Sequence, residues 1–274
     1  MEVRNYIPHP ALQEYVFSIS TVDFLLPEGM KDVVTPYPST PFQFLLFYCN
    51  NPISMSRTEG DFEKQPLSVV TGPQFSRVNL KVHDRLRCIR VDLLPGGMYR
   101  ILGIPMQEMF DGGFNALDLF GVEMRVINEK LQHIQDLEES KKIVENFLLN
   151  KVVDLKEILP LDSALQTLFK NHGNMSMDKT ASLACLSLRQ FERKCKNRLG
   201  MNPKTYARIL RFSKAYRLHE AFPHLNWTEI AYKAGYYDQM HLIRDFKVFA
   251  GVNPSVIEQQ LLLTPFRMQK DLAI

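Results

Sequence analysis

The chain has 274 residues, of which 45% are hydrophobic and 23% charged, and its net charge is +3. These values are typical of a soluble globular protein, and the length suits two domains better than one. The longest apolar run, Phe42–Cys49, is too short to span a bilayer. The first residues, MEVRNYIPHP, do not have the basic start and apolar core of a signal peptide, so a cytoplasmic location is expected.

Charge is distributed unevenly along the chain. Residues 1–160 contain 16 Lys and Arg against 21 Asp and Glu, which gives a net charge of −5. From Leu161 onward the counts are 17 and 9, which gives +8. An acidic first part and a basic second part favour two domains, the second of which faces a polyanion. Charge alone fits DNA, RNA or an anionic membrane surface.

Runs rich in Val, Ile, Phe and Leu predict β-strands in the first third of the chain. The predicted strands are Tyr15–Leu26, Phe42–Cys49, Leu67–Thr71, Phe75–Val82 and Cys88–Leu94. Turn and breaker residues, among them Pro36 and Pro38, lie between these runs. Several short antiparallel strands of this kind predict a small barrel or sandwich.

From Pro95 onward the hydrophobic period becomes helical. A short helix is predicted for Gly96–Leu102, and amphipathic helices are predicted for Ala116–Leu131 and Leu137–Leu149. This helical pair either packs on the barrel or pairs with a second copy of the chain. The segment Val152–Pro160 is the predicted boundary, because the residue before a proline disfavours the helical conformation. The predicted domains are therefore residues 1–155 and 160–260.

The last third of the chain contains one pattern twice. The segments SLRQFERKCKNRLGMNP (Ser187–Pro203) and DQMHLIRDFKVFAGVNP (Asp238–Pro254) share Arg, Lys, Gly, Asn and Pro at an offset of 51. The segment around Ala181 recurs around Ala231 at an offset of 50. Each copy therefore predicts two helices joined by a tight turn, with the second turn one residue longer. A helix-turn-helix presented twice, with basic residues on each second helix, is typical of DNA-reading proteins.

Capping residues mark the predicted helix boundaries in both copies. Ser187 with Gln190, and Asn226 with Glu229, have the spacing of a capping box. The glycine of each G-x-N-P element suits a left-handed C-cap. The Asn-Pro pair that follows opens a new helix, with Asn as N-cap and Pro at the first helical position.

Helical spacing separates a buried stripe from an exposed face on each second helix. The residues predicted to face DNA are Arg189, Glu192, Arg193 and Lys196 in the first copy, and Gln239, Met240, Ile243, Arg244 and Lys247 in the second. Arg can bond bidentately to guanine and Gln to adenine, whereas Met or Ile can pack on a thymine methyl group. The lysines suit phosphate contacts. A solvated helix face would explain one such helix, but two matched copies favour DNA binding.

Residues from about Leu161 to Gln259 resemble the DNA-binding domain of the AraC/XylS family of bacterial transcription regulators. The resemblance is carried by WTEIAYKAGYYDQMHLIRDFKVFAGVNPSVI (Trp227–Ile257) and by the repeated G-x-N-P elements. It implies seven helices, arranged as two helix-turn-helix units that are bridged by a long helix from Pro203 to about Phe222. The family's base-contacting positions fall on Arg189, Glu192 and Arg193, and on Gln239, Met240 and Arg244.

Two of these positions have more than one interpretation. Met240 stands where the family usually has a small polar residue, so the second unit reads either an apolar feature or little at all. Glu192 either accepts a hydrogen bond from a cytosine amino group or orients Arg193.

The expected fold class is α+β: a small, cupin-like β-barrel domain with trailing helices, followed by an all-α domain of two helix-turn-helix units. The cupin-like form rests on analogy within the family. The first domain is expected to sense a small effector, to dimerise, or both.

No metal or other cofactor is predicted, since a cupin metal site needs clustered histidines and only His9 and His83 lie in this region. Basic strand residues would bind an anionic effector if they pointed inward, although a solvated strand face is favoured for Arg77, Lys81, Arg85, Arg87 and Arg90.

The leading hypothesis is a sequence-specific transcription regulator that is not an enzyme and does not bind membranes. Double-stranded DNA is the expected partner, and RNA polymerase, a small effector and a second copy of the chain are further candidates.

The second hypothesis is an enzyme that a basic tail localises to DNA, as in some repair methyltransferases. It needs a reactive cysteine set or zinc ligands, and neither Cys49 nor Cys88 lies in a PCHR-like element. The third is a ligand-binding module that uses DNA contacts only indirectly.

Three side chains in the basic part are predicted to be structural. Cys185 and Cys195 fall at apolar helix positions and are expected to be small buried thiols. Trp227 lies at a helix start in an apolar position and is expected to anchor the core rather than stack on a base.

Overall fold

The computed structural model describes residues 2–57, 60–152, 155 and 158–262. The first half of the chain is rich in β-strand and the second half is helical, which confirms the predicted α+β class. We refer to residues 2–152 as the sheet-rich domain and to residues 160–262 as the helical domain. Among the described helices, none combines the length and the apolar character that a membrane crossing requires.

The strands of the sheet-rich domain are short and the helices follow them. The strands are β1 Glu2–Tyr6, β2 Val16–Leu25, β3 Asp32–Tyr37, β4 Gln43–Tyr48, β5 Ser54–Ser56, β6 Glu63–Lys64, β7 Ser68–Thr71, β8 Val78–His83, β9 Arg85–Leu93 and β10 Gly113–Asn115. The helices are α1 Gly97–Leu102, α2 Ala116–Phe120, α3 Val122–His133 and α4 Leu137–Val152. All five strands predicted from the sequence are present, with ends shifted by a few residues.

The described strands form a sandwich of two sheets rather than a closed barrel. One sheet has the order β1-β2-β9-β4-β7-β10 and the other β3-β8-β5-β6. Side chains alternate along β4, as the pleat requires. Leu45 and Phe47 belong to a core cluster with α3 and α4, whereas Phe44, Leu46 and Tyr48 belong to a cluster with β8. The six-stranded sheet is therefore the middle layer, between the helices and the smaller sheet.

Three features of this domain differ from the sequence expectation. Pro36 lies inside β3, opposite Asn79, rather than in a turn. A strand at a sheet edge tolerates proline because one of its sides needs no ladder hydrogen bond. The predicted helix Ala116–Leu131 is two helices, since Gly121 adopts φ 64° and ψ −141° between them. The sequence analysis also does not predict β1, β3, β5, β6 or β10; of these, β1 is a largely exposed edge strand without an apolar pattern.

The described part of the helical domain contains the seven helices that the family resemblance implies. They are α5 Pro160–Lys170, α6 Met177–Leu183, α7 Leu188–Leu199, α8 Pro203–Ala221, α9 Trp227–Ala234, α10 Gln239–Phe249 and α11 Pro254–Leu262. The pairs α6–α7 and α9–α10 are the two helix-turn-helix units. Helix α8 joins them; it has 19 residues, which corresponds to about 28 Å at 1.5 Å per residue. Residues 153, 154, 156 and 157 of the predicted boundary segment Val152–Pro160 lie outside the described residues, so the domain limits stay a prediction.

The hydrophobic core continues from one domain into the other. Phe17 and Phe42 of the sheet-rich domain pack against Phe169 of α5, with ring centroids 5.3 and 5.6 Å from that of Phe169. Aromatic pairs of this kind contribute about 0.5–1.5 kcal/mol each beyond their burial. The two domains are thus packed as one body.

The loop of residues 72–77, which joins β7 to β8, is held by Asp111. One carboxylate oxygen of Asp111 accepts hydrogen bonds from the backbone N–H groups of Phe75 and Ser76, both at 2.9 Å. The other lies 3.1 Å from Nη1 of Arg57. Burial alone would raise the pKa of Asp111, but the two N–H donors and Arg57 outweigh it, so the pKa lies below its ordinary value.

We expect Asp111→Ala to lower the free energy of unfolding at neutral pH by about 1–3 kcal/mol, because two backbone N–H groups lose their acceptor. Asp111→Asn is the matched control. It keeps the accepting oxygen and tolerates the left-handed φ of 54° at this position, but it removes the charge. Urea unfolding of the three proteins measures both effects.

The same variants also test how the free energy of unfolding depends on pH. A carboxyl whose folded-state pKa is depressed stabilises the protein above its unfolded-state pKa, and this stabilisation disappears as the pH falls through the folded-state value. The stability difference between wild type and Asp111→Asn should therefore shrink below about pH 4, the ordinary range of aspartate. A difference that stays constant into that acidic range would contradict the ion-pair assignment.

Candidate nucleic-acid interface

In each helix-turn-helix unit the first helix ends in a left-handed residue. Cys185 has φ 55° in the first unit, and Gly235 has φ 91° in the second. The N–H of the next residue, Leu186 or Tyr236, donates to the carbonyl five residues earlier, at 3.0 and 2.9 Å. This hydrogen bond is that of a Schellman helix end. The two ends are therefore equivalent at an offset of 50.

The second turn is one residue longer than the first, as the sequence predicts. In the first unit the N-cap Ser187 follows Leu186 directly. In the second unit Tyr237 intervenes between Tyr236 and the N-cap Asp238. Tyr237 is 92% exposed, so the extra residue places an aromatic ring on the surface beside α10.

Reciprocal hydrogen bonds confirm both predicted capping boxes. Gln190 N–H donates to Ser187 Oγ at 3.4 Å, and Ser187 N–H donates to Gln190 Oε1 at 3.2 Å. Asn226 and Glu229 exchange the same bonds at 3.0 and 2.9 Å. A capping side chain contributes about 1 kcal/mol to its helix. The starts of α7 and α9 are thus fixed by local chemistry.

Apolar side chains bury one face of α7 and of α10, which we call the recognition helices. The predicted stripe is confirmed, because all of its residues are buried: Phe191, Cys195, Leu199, Leu242, Phe246 and Phe249. The remaining faces of both helices are left for polar contacts.

The predictions for Trp227 and for the two cysteines of this domain do not all agree with the structure. The ring of Trp227 meets that of Phe246 edge-on at 5.1 Å, which agrees with its predicted role as an anchor. Cys195 is buried, and burial raises the pKa of its thiol. Cys185 is exposed, so its predicted burial is wrong. It occupies the left-handed turn position rather than an apolar helix position.

The residues predicted to face DNA lie mostly on the surface. Exposed are Arg189, Arg193, Lys196, Met240, Arg244 and Lys247, and half-buried are Glu192, Gln239 and Ile243. Ile243 packs partly against the core, so it faces outward less than the sequence suggests. Gln239 Oε1 accepts a hydrogen bond from the Thr228 hydroxyl at 3.0 Å, which orients its amide at the start of α10.

A buried acid that the sequence analysis does not single out fixes α10 to α8. Asp245 Oδ1 accepts hydrogen bonds from Arg208 Nε at 3.0 Å and Nη2 at 2.7 Å. Asp245 Oδ2 accepts one from the hydroxyl of Tyr236 at 3.0 Å. Burial raises the pKa of Tyr236, so its phenol remains a donor. The only sequence signal for this network is an acidic residue beside Arg244 on an otherwise basic and apolar helix.

A groove with basic and aromatic walls lies between α8 and the second turn. Its lining includes Arg208, Arg211, Tyr237, His241 and Arg244. Asp245 pairs with Arg208, whereas Arg244 has no ion-pair partner among the described residues. Cationic and hydroxyl groups beside a recognition helix suit the phosphates that flank a base-reading contact.

The C-terminal end of α7 contacts the sheet-rich domain. Gln43 Nε2 donates to the carbonyl of Leu199 at 3.3 Å, and Gln107 Nε2 donates to Oδ1 of Asn197 at 2.7 Å. Gly200 has φ 76°, and a β-carbon there would lie 2.5 Å from the carbonyl oxygen of Met106. Glycine at this position therefore permits both the helix end and the close approach of the two domains.

The C-terminal end of α10 contacts the same domain. Ser39 N–H donates to the carbonyl of Phe249 at 3.0 Å, and Arg77 Nη1 donates to that of Ala250 at 3.2 Å. The ring of Phe75 packs edge-on against Phe249 at 5.5 Å. Arg77 is thus an interdomain contact rather than part of a solvated strand face.

A second candidate site is the pocket between the two sheets. Its space, including the part open to solvent, is about 630 Å³. Much of its wall is apolar, with Phe44, Leu46, Val69, Val78 and Leu80 among the lining residues. Arg90 also lines it and is 1% exposed, so the predicted solvated strand face is wrong for this residue. The reason is that β9 lies inside the six-stranded sheet, between β2 and β4.

The guanidinium of Arg90 is held on several sides. Its Nε donates to Asp92 Oδ1 at 2.8 Å, and its Nη1 donates to the hydroxyl of Tyr37 at 2.5 Å. The guanidinium carbon lies 3.9 Å from the centre of the Phe44 ring. Burial disfavours the charged form, but Asp92 and Tyr37 outweigh it and raise the pKa of Arg90 above its ordinary value. Arg90 therefore remains a buried cation with a paired carboxylate.

Two family models match parts of the chain. Residues 180–260 match that of a helix-turn-helix domain, and residues 4–114 match that of a domain of unknown function, DUF6597. No protein of curated function matches the sequence.

The solved structures that are similar to the chain at low sequence identity include the following three. A ligand-free variant of ToxT from Vibrio cholerae is 14% identical, and the match covers 90% of this chain and 98% of ToxT with a TM-score of 0.49. ToxT from the same organism with a bound unsaturated fatty acid is 11% identical, with 86% and 97% covered and a TM-score of 0.43. The AraC-like transcriptional activator CuxR is 11% identical, with 80% and 86% covered and a TM-score of 0.28.

We expect Cys185→Gly to raise the free energy of unfolding by about 1 kcal/mol, because a β-carbon is disfavoured at a left-handed residue. The matched change Gly235→Ala should lower it by more, since a β-carbon there also lies 2.1 Å from Asn174 Oδ1. Urea unfolding measures both. A loss of stability in Cys185→Gly would show that the turn does not carry the strain assigned to it.

Proposed function

We propose that this chain, whose residues 180–260 match a helix-turn-helix family model, is a DNA-binding transcription regulator of the AraC/XylS type, and that it reads two adjacent major-groove segments and adjusts that reading through the pocket between its sheets. The observation that carries the proposal is the matched pair α7 and α10. Each has a capped start, a buried apolar stripe and exposed basic residues.

The arginines are the central base-reading residues in this proposal. Arg193 and Arg244 occupy equivalent positions at an offset of 51, and both are exposed without an ion-pair partner among the described residues. A guanidinium can donate two hydrogen bonds to the edge of a guanine. Met240, which is 57% exposed, can pack on a thymine methyl group. Successive major-groove segments on one face of DNA are about 34 Å apart, a distance comparable with the length of α8.

Other residues of the interface suit the DNA backbone. Lys196 and Lys247 follow the arginines by three residues, nearly one helical turn, and are exposed. Tyr237 and His241 add a hydroxyl and an imidazole beside the start of α10. Contacts of these groups with phosphate fix the register of a protein on DNA but carry no sequence information. The interface therefore divides into base-reading arginines and backbone-anchoring lysines.

We expect Arg193→Ala and Arg244→Ala each to weaken binding to specific DNA by about 1–3 kcal/mol, and to leave binding to random DNA nearly unchanged. Lys196→Ala and Lys247→Ala should instead weaken both to a similar extent, because they remove phosphate contacts. Gel-shift titrations at one fixed salt concentration, with the DNA upstream of the protein's own gene, measure these losses.

Arg125→Ala is the matched control for the arginine variants, because Arg125 is an exposed residue of α3 in the sheet-rich domain. It removes the same charge from a different surface and should bind both DNAs like the wild type. Equal losses on specific and random DNA in Arg193→Ala or Arg244→Ala would overturn the base-reading assignment.

A short path of contacts connects the pocket with α10. Arg57 and Asp111 both line the pocket, and Arg57 is one of its more exposed residues, which places this ion pair at the mouth. Asp111 holds the 72–77 loop, and Phe75 of that loop packs on Phe249 at the end of α10. A ligand that displaces Arg57 from Asp111 would loosen the loop and, through it, the docking of α10.

We expect Met55→Trp to change the affinity for specific DNA by about fivefold or more, which is the lower end of common coupling between sites. Met55 lines the pocket and is half-buried, so the larger side chain fills the space a ligand would take. Met30→Trp is the control, since Met30 is exposed outside the pocket. Fluorescence anisotropy measures DNA affinity, and amide hydrogen exchange at residues 249–251 reports the docking of α10. Wild-type values for Met55→Trp in both measurements would refute the coupling.

A further inference from the structure

We infer that the pocket between the sheets takes a neutral, largely apolar molecule that carries a hydrogen-bond acceptor, rather than a carboxylate. This inference rests on the proposed sensor role of the pocket and names the chemical class of its ligand. It follows from the wall of the pocket, from its balance of charges and from two donors that lack acceptors.

The wall favours an apolar body. Side chains of β4, β7 and β8 supply aromatic and aliphatic groups from both sheets, among them Phe44, Val69 and Leu80. Most of the surface that lines the pocket is apolar. A ligand that fills it gains mainly from the removal of apolar surface from water.

The charges at the pocket balance one another. Arg90 is paired with Asp92 in the interior, and Arg57 is paired with Asp111 at the mouth. A bound carboxylate would therefore meet no surplus cation. It would also place a negative charge in a pocket whose two arginines already have carboxylate partners, and an uncompensated charge in a buried site is strongly disfavoured.

Two buried donors are left for a ligand. Nη2 of Arg90 forms no hydrogen bond among the described residues, although it lies 2.7 Å from the carboxylate that Nε already engages. The hydroxyl of Tyr48, which also lines the pocket, has no hydrogen-bond partner in the described part of the chain either. Burial raises the pKa of Tyr48 well above its ordinary value, so this phenol is a neutral donor. A carbonyl or ether oxygen would satisfy such donors without bringing a charge.

Three probes of one shape test the inference on the full-length protein. Benzylacetone, hydrocinnamate and n-butylbenzene share a phenylethyl group and end in a methyl ketone, a carboxylate or an ethyl group. By isothermal titration we expect benzylacetone to bind about tenfold more tightly than either of the others, the equivalent of one good hydrogen bond. Preference for hydrocinnamate, equal binding of the ketone and the hydrocarbon, or no binding of any probe at millimolar concentration would overturn it.

Variants of the protein test which donors cause the preference for the ketone. Tyr48→Phe removes a hydroxyl that has no protein partner, so the fold should persist while benzylacetone loses several-fold in affinity and n-butylbenzene does not. The double change Arg90→Met with Asp92→Leu removes the buried pair together, a replacement that folds commonly tolerate. It should abolish the preference for the ketone. Met55→Trp should exclude all three probes. Unchanged selectivity in both donor variants would also overturn the inference.

The outcomes separate this inference from the sensor role on which it rests. If benzylacetone binds with the expected selectivity and leaves DNA affinity unchanged, the ligand class stands and the sensor role fails. If hydrocinnamate is preferred and changes DNA affinity, the sensor role stands and the ligand class is wrong.

Discussion

The docking of both recognition helices on one sheet-rich domain is the constraint on which the rest of the structure depends. The ends of α7 and α10 are held through the carbonyls of Leu199, Phe249 and Ala250. Helix α8 joins the same two units from within the helical domain. The relative orientation of the recognition helices is therefore set twice, once by α8 and once by the sheets. It is a property of the whole chain, and a change in the sheets can alter it.

Buried and half-buried ion pairs connect helices, strands and loops whose relative positions are fixed in this fold. Arg208 and Asp245 connect α8 with α10, and Arg57 with Asp111 connects β5 and its following loop with the segment before β10. Such pairs contribute less to stability than to the choice of one arrangement, because the cost of removing charges from water offsets much of their attraction. In this chain the Arg57–Asp111 pair holds the loop that packs on the end of α10, and the Arg208–Asp245 pair holds α10 to α8. The arrangement they select is thus the one that presents the recognition helices.

The local features of the helical domain could be predicted from the sequence, because capping boxes and Asn-Pro helix starts are decided by residues a few positions apart. Features decided by distant residues could not. Burial of Arg90 depends on the place of β9 within its sheet, and the role of Asp245 depends on Arg208, 37 positions earlier. The left-handed conformation of Cys185 could not be predicted either, because cysteine does not favour it. Its counterpart in the second unit, Gly235, is a residue that does.

The interdomain hydrogen bonds at the ends of α7 and α10 have a consequence for how such a protein can evolve. Apart from Asn197 Oδ1, the acceptors described above are main-chain oxygens, which every amino acid supplies, whereas the exposed side chains proposed to read DNA project from the earlier turns of the same helices. Substitutions at the groove-facing positions would leave the attachment to the sheets intact. The surface of the two recognition helices can therefore diverge by the exchange of a few side chains while their attachment to the sheets is retained.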